Sequence, residues 1–277
     1  MPPPRRHLPP RCGDCCERGV LVTVVHSGGA GVISGVAGAI TGGVFPGGTA
    51  VTDLCVYDAE AADGCRGGSP HLHTASTEGY VVIGGAGALQ TLSGEGFAEQ
   101  PLTVGDVVWF TPGTVHRLIN GGELRLVVVM SNAGLPESGD AVLTFPPEIL
   151  SDPDAYAAAA ALPGAGASDA EREAAAYARR DLALTGFAQL RVGGASALAS
   201  FQEQAALLVQ PRVAAWRTLW EGTVAAETER TRQQLDALAA GRPGLMSSAH
   251  LTRAEPTGDV RGFGMCGRLR TWRWPTA

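Results

Sequence analysis

Lysine is absent: all 21 basic residues among the 277 are arginine. With no side-chain amine to form a Schiff base or act as a tunable base, lysine-dependent aldolase and pyridoxal chemistry are excluded. Charge is scarce too, at 17% of residues with a formal net charge of −6. Nucleic acid and anionic membranes both need a concentrated basic surface, so neither is an expected partner. Six cysteines at irregular spacing are too few for a disulfide scaffold in a chain of this length. Reduced thiols and a cytoplasmic location are the expectation. Cys12, Cys15 and Cys16 form a CxxCC cluster, without the second pair that a four-ligand zinc site needs. Long apolar runs are missing as well. The apolar core at residues 20–25 is short for a signal peptide, Asp14 and Glu17 interrupt its approach, and residues 1–25 read as a disordered extension.

What is present describes a globular protein. Hydrophobic residues make up 45% of the chain, with 38 Gly and 18 Pro. A chain of this size buries roughly 75% of its unfolded surface and folds without needing disulfides or metal for that purpose. Its character changes near residue 150. Before that point, Val-, Thr- and aromatic-bearing runs at 50–57, 78–83, 88–92, 106–110, 116–120 and 124–131 alternate with Gly and Pro turns. No segment there shows helical period, so residues 26–148 predict an antiparallel β-domain, closed or sandwiched.

Beyond residue 150, Ala, Glu, Arg and Leu predominate. Asp152 and Pro153 predict a short helix over 151–161, and Ser168 with Glu171 matches a capping box opening a helix to about residue 190. Leu198, Phe201, Ala205 and Leu208 continue a helical stripe, Pro211 interrupts it, and Gly241 and Pro243 end it. The helical region, 149–242, is expected to pack on itself or on the β-domain, with a homodimer interface through Trp216 and Trp220 as the other expectation. Residues 243–277 form a tail with strand character at 265–272 that can return to a sheet edge.

The chemistry concentrates in the β-region. His71 and His73 stand two apart, so on a strand both point to one face. Glu78 heads the next strand, and the turn before His116 delivers a third imidazole. Three imidazoles and a carboxylate make a donor set suited to a divalent first-row metal.

These residues resemble the cupin superfamily. Its first motif, G-x5-H-x-H-x3,4-E-x6-G, is matched by His71, His73, Glu78 and Gly85, while Cys65 stands where the opening glycine would be. Its second motif, G-x5-P-x-G-x2-H-x3-N, is matched by Gly105, Gly113, His116 and Asn120, with Pro112 displaced by one place. The motifs cover about residues 64–120 and leave the helical half uncovered. The resemblance implies a jelly-roll β-barrel, and with the helical pattern that follows it the expected fold is mainly β with an α appendage: the barrel and then a C-terminal helical region. It also implies one divalent transition metal (Fe, Mn, Zn, Ni or Cu) held by His71, His73, Glu78 and His116, with positions open to a small-molecule substrate or ligand.

Strand parity adds neighbours. If Glu78 faces inward, so do Tyr80 and Val82; if His116 does, so do Leu118 and Asn120. Glu78 and Tyr80 are the catalytic candidates, Tyr80 also being read as core with a bonded hydroxyl. One of Trp109 and Phe110 should line the barrel. Arg117 is expected outside and solvated, and Cys65 as a small buried residue or a reactive thiol. Met265-Cys266-Gly267-Arg268 looks like a processed N-terminal nucleophile motif, but an internal Cys266 has no free α-amine and the match is empty. Two function classes remain open at this point. One is a metalloenzyme, either a dioxygenase or a Lewis-acid isomerase or epimerase; the other is a non-catalytic cupin that senses a ligand through its helices.

Overall fold

The computed structural model describes residues 45–164 and 166–273. The expectations for residues 1–44, the CxxCC cluster among them, lie outside the described residues. The β-region contains β1 (Ala50–Val56), β2 (His71–His73), β3 (Glu78–Ser93), β4 (Gly96–Thr103), β5 (Val107–Phe110), β6 (Val115–Met130) and β7 (Ala141–Leu143). β3 and β6 are each 16 residues long and absorb four of the short runs read from the pattern. They pair antiparallel, with register shifts between Val82 and Gly87.

Those irregularities bend the strand pair, as bulges do. The first part of β3 and the last part of β6 lie between β5 and β1. The last part of β3 and the first part of β6 lie between β4 and β2, and β7 follows β2. One bent pair therefore serves two facing sheets. At the bend Gly85 has φ of +66°, and a Cβ there would come within 2.2 Å of the Gly122 and Glu123 carbonyl oxygens. Only glycine fits that position.

The segment after the helices brings two strands back to this frame. β8 (Glu255–Pro256) pairs with β11 (Trp272–Arg273), while β9 (Gly262–Phe263) and β10 (Gly267–Arg270) extend the first sheet beyond β1. Leu54, Tyr80, Val82, Leu118, Leu126 and Cys266 belong to the core between the sheets.

Helices α1 (Pro147–Leu150), α2 (Pro153–Ala160), α3 (Asp169–Val209), α4 (Val213–Trp220) and α5 (Ala226–Ala239) follow β7. Asp152 caps α2 by accepting from the Asp154 and Ala155 amides, and Ser168 with Glu171 forms the expected capping box on α3. α3 runs through residue 190 and kinks at Gly194. Pro211 sits in a 3₁₀ turn between α3 and α4, and a π-helical turn over Glu221–Ala225 links α4 to α5. A second core joins Leu72, Val115 and Leu143 of the outer barrel face to Phe187, Phe201 and Trp216 of the helices. At β2, β7 and the start of β6 the second sheet is therefore buried on both faces. No helix among the described residues is long and apolar enough to cross a membrane.

This cover overturns one parity expectation. Arg117 does point outward, yet it is 1% exposed rather than solvated. Its guanidinium pairs with Asp63 through both terminal nitrogens and donates through Nε to the Gly68 carbonyl. α3 holds the same loop from the other side. Arg180 donates to the Ala59 and Glu60 carbonyls, and Arg179 to those of Ala160 and Gly264. Outward on a strand means solvated only where nothing covers the sheet.

Candidate metal centre

The two sheets supply different donors. His71 on β2 is directly opposite His116 on β6, and His73 follows on the same face of β2. Glu78 comes from the facing sheet, at the start of β3, paired with Phe110 and Met130. The turn before β6 depends on Gly113, whose φ is +84°. Its amide donates to the His73 carbonyl at 2.8 Å, joining the two histidine-bearing segments. One donor atom from each of His71, His73, Glu78 and His116 lies within 4.8 Å of the others. All four residues are buried, His116 completely.

The ring orientations are fixed from behind. His71 Nδ1 lies 2.9 Å from the Ser69 carbonyl, His116 Nδ1 3.1 Å from the Thr114 carbonyl, and His73 Nδ1 2.5 Å from Asp140 Oδ1. Each Nδ1 faces an acceptor and carries the proton, leaving the three Nε2 atoms as metal-directed lone pairs. Nε2 of His73 and of His116 lie 3.2 and 3.0 Å from Glu78 Oε2. Neither Glu78 Oε2 nor His116 Nε2 has a hydrogen-bond partner of acceptable geometry among the described residues.

Buried acceptors aimed at one another need a cation between them or a proton on one of them. In the metal-free protein His73 meets that need. Burial pulls its pKa down, but Glu78 and Asp140 outweigh this and hold it at about 10. Glu78 is pushed up by burial and drawn well below the ordinary carboxylate range by His116 and His73. Burial and the two neighbouring imidazoles hold His71 well below 6.5, so it is neutral. An ionised carboxylate and three imidazoles with backed Nδ1 atoms fit a divalent first-row metal by donor type, charge and convergence.

The surrounding side chains define what reaches the donors. Tyr80 and Val82 share the inward face with Glu78, and Leu118 and Asn120 share it with His116; all four are buried. The Tyr80 hydroxyl faces Glu78 but makes no hydrogen bond of acceptable geometry among the described residues. Burial and then the Glu78 charge push its pKa well above 10, so the phenol stays protonated. Phe110 is the inward member of its pair. Its ring is 4.2 Å from that of His116 and 5.5 Å from that of Tyr80, while Trp109 is 71% exposed. Asn120 donates to the Val56 carbonyl and accepts from the Gly122 and Leu124 amides, satisfying backbone groups as expected but at the bend inside β6 rather than at a strand end. Cys65 is half-buried in the turn preceding Arg66 rather than sunk in the core.

Two contributors have no signal in the motif spacing. Asp140 is fully buried and accepts from the Ser76 amide as well as from His73. Burial raises its pKa, His73 more than offsets this, and it remains a carboxylate. β7 places it beside the site, because His73 is registered with Ala141. The other is Cys266, set aside in the sequence on chemical grounds. It lies in the barrel core with Tyr80, and burial followed by the Glu78 charge keeps its thiol protonated.

A cupin domain model matches residues 59–131. Solved structures that resemble the chain include the nucleoside dehydratase Pac13 of Streptomyces with uridine, at 19% identity over 32% of this chain and 63% of that one, TM-score 0.25. The chain thus spans just under two thirds of the dehydratase. An uncharacterized conserved protein with a double-stranded β-helix domain from Klebsiella pneumoniae matches at 20% identity, over 40% of this chain and 85% of that one, TM-score 0.27. A protein described as a predicted oxalate decarboxylase from Thermotoga maritima matches at 21% identity, over 30% and 64%, TM-score 0.23. The curated proteins contain no match. With both motifs in place, a bent two-sheet barrel around them and the family model over the same stretch, residues 59–131 are a cupin domain.

Proposed function

We propose that this chain is a metal-dependent cupin enzyme that oxidises a small polar substrate at His71, His73, Glu78 and His116, in a dioxygenase-type reaction. The observation that carries the reading is the set of three Nδ1-anchored imidazoles converging on a buried carboxylate whose Oε2 has no hydrogen bond of acceptable geometry among the described residues. A redox-active divalent ion such as iron, copper or nickel held there would supply Lewis acidity and a path for electrons from the substrate, which is oxidised, to dioxygen, which is reduced. The chain's own residues do the rest. Asp140 keeps the His73 proton on Nδ1, and Phe110 with Leu118 and Val82 excludes bulk water. Tyr80, held protonated, donates from its hydroxyl to an oxygen of the substrate.

The competing chemistry is Lewis-acid isomerisation or epimerisation with zinc or manganese, and a phosphorylated sugar would need free cations near the mouth. The three nearby arginines are engaged: Arg66 with Asp58, Arg117 with Asp63 and Arg125 with Asp53. This favours oxidation of an unphosphorylated substrate.

The test is metal analysis of untagged protein beside a folded His71→Ala, His73→Ala double variant, then anaerobic iron loading and oxygen uptake with catechol, flavonol and diketone panels. Near-stoichiometric iron, copper or nickel lost in the variant, with oxygen consumption on at least one panel, is the expected result. Zinc or manganese as the resident metal with no oxygen uptake would turn the reading to Lewis-acid chemistry. No metal even after reconstitution would remove the enzyme reading.

A further inference from the structure

A groove of about 670 Å³ lies on the far side of β2 from the imidazoles. Leu72 stands between His71 and His73, so its side chain leaves the strand on the face opposite theirs. It lines the groove together with Thr74, Ala75 and the Pro112 and Gly113 turn. The facing wall comes from α3 and α4, through Ala205, Val209, Val213, Trp216 and Trp220. The groove is therefore separate from the candidate metal centre, although Gln202 on its wall donates to the Gly113 carbonyl at 3.1 Å.

Size, lining and charge narrow the occupant. The volume falls in the roughly 300–1,000 Å³ range of small-molecule sites. The lining is mostly apolar, with two indoles from α4, and no Asp or Glu is part of it. Arg217 is its single charged lining residue; it is exposed, and its guanidinium forms no ion pair or hydrogen bond among the described residues. By contrast Arg212, just outside, is tied to the Gly139 carbonyl. Trp216 is anchored within the chain by its Nε1–H donating to the Ser138 carbonyl, while Trp220 is 42% exposed at the edge.

An apolar trough with one unpaired guanidinium at its rim complements a molecule with an apolar body and a singly charged anionic head. A carboxylate matches the planar fork of Arg and its single charge, whereas a phosphate ester brings a charge of about −1.5 to −2. We propose that this groove is a binding site for an amphipathic monocarboxylate, its chain along the accessible Ala206, Val213 and Trp220 and its head on Arg217. The proposal stands on the groove alone and does not require metal at the histidine cluster.

Dodecanoate is the probe, with dodecanol as its uncharged counterpart and dodecyl phosphate as its more highly charged one, each titrated into the full chain by calorimetry and tryptophan fluorescence. Ala206, exposed and on the groove wall, is replaced in Ala206→Trp to fill the space; Arg217→Gln removes the charge without touching the core. One dodecanoate per chain is expected, abolished by Ala206→Trp and weakened roughly tenfold by Arg217→Gln, while dodecanol binding is unmoved by Arg217→Gln. His73→Ala should leave dodecanoate binding unchanged, separating this site from the metal centre. Absence of saturable binding, or equal affinity in wild type and a folded Ala206→Trp variant, would overturn the site. Tighter binding of dodecyl phosphate than of dodecanoate would overturn the choice of head group.

Discussion

Replacing Asp140 by asparagine changes no volume and one charge, yet the structure predicts a loss out of proportion to that. Asp140 Oδ1 accepts from His73 Nδ1 at 2.5 Å, and Oδ2 accepts from the Ser76 amide at 3.0 Å. Asparagine has only one oxygen for these two donors. If its Oδ1 stays on Ser76, the amide NH₂ faces His73 Nδ1, the imidazole proton must move to Nε2, and one metal-directed lone pair is lost. Loss of such an outer partner lowers metal affinity about 10- to 100-fold, or about 1.4–2.8 kcal/mol. If Oδ1 turns to His73 instead, the Ser76 N–H is left buried against a second donor, at a cost of about 1–3 kcal/mol in stability. One loss or the other must appear. Competition with a chelator for zinc and cobalt measures the first, and urea unfolding of the metal-free protein measures the second. Nitrogen-detected NMR of His73 distinguishes the tautomers. Asp140→Glu keeps the acceptor pair and should recover part of the metal affinity if the loop adjusts. An Asp140→Asn protein that binds metal within roughly threefold of wild type and unfolds within about 0.5 kcal/mol of it would refute the assignment.

The same contacts lead to further expectations. Gly85→Ala should destabilise the fold by at least about 1–3 kcal/mol, because φ is +66° and the new Cβ meets two carbonyl oxygens; Gly94→Ala, with nothing within 4 Å, is the control, and equal midpoints in chemical denaturation would count against the bend. Asp63→Ala leaves the Arg117 guanidinium buried without its carboxylate and should cost about 3 kcal/mol, against under about 1 kcal/mol for Asp58→Ala, whose partner Arg66 is exposed; equal losses in thermal unfolding would contradict the buried assignment. Burial raises the Asp53 pKa, but Arg125 and Arg261 bring it below 3.8, so its contribution is present above that value and is lost as pH falls through the lower, folded one. Stability measured from pH 6 down to pH 2 should therefore converge between wild type and Asp53→Asn at the acid end, and curves that stay parallel would refute the linkage.

The candidate site was legible in the sequence because its chemistry is local. His71 and His73 share a face by the two-residue period of a strand, and the likeness of the stretches around Glu78 and His116 to the two cupin motifs adds the other two donors. Helix starts were legible for the same reason, since Ser168 and Glu171 act within a single turn. Asp140 was not, because its role comes from the pairing of β2 with β7, 67 residues away, and a three-residue strand has too few positions to show a period. β4 escaped because all its residues but Leu102 are exposed, which removes the apolar alternation that marks a strand. Arg117 was misplaced because parity gives a direction and says nothing of what covers that face.

That cover bears on how the barrel and the helices divide the work. β2 carries two of the four donors on only three residues, too short to hold its own position through backbone pairing. Its inner face is imidazole, and its outer face is Leu72, packed in one core with Val115, Leu143, Phe187, Phe201 and Trp216. The helices thus supply the apolar contact that seats β2 against the sheet, while Arg180 clamps the segment leading to it through the Ala59, Glu60 and Gly67 carbonyls. The motif residues specify which atoms meet at the centre. The region outside the motif keeps the strand that presents them from moving, because the sheet bearing the histidines is enclosed by the helices where it would otherwise meet water.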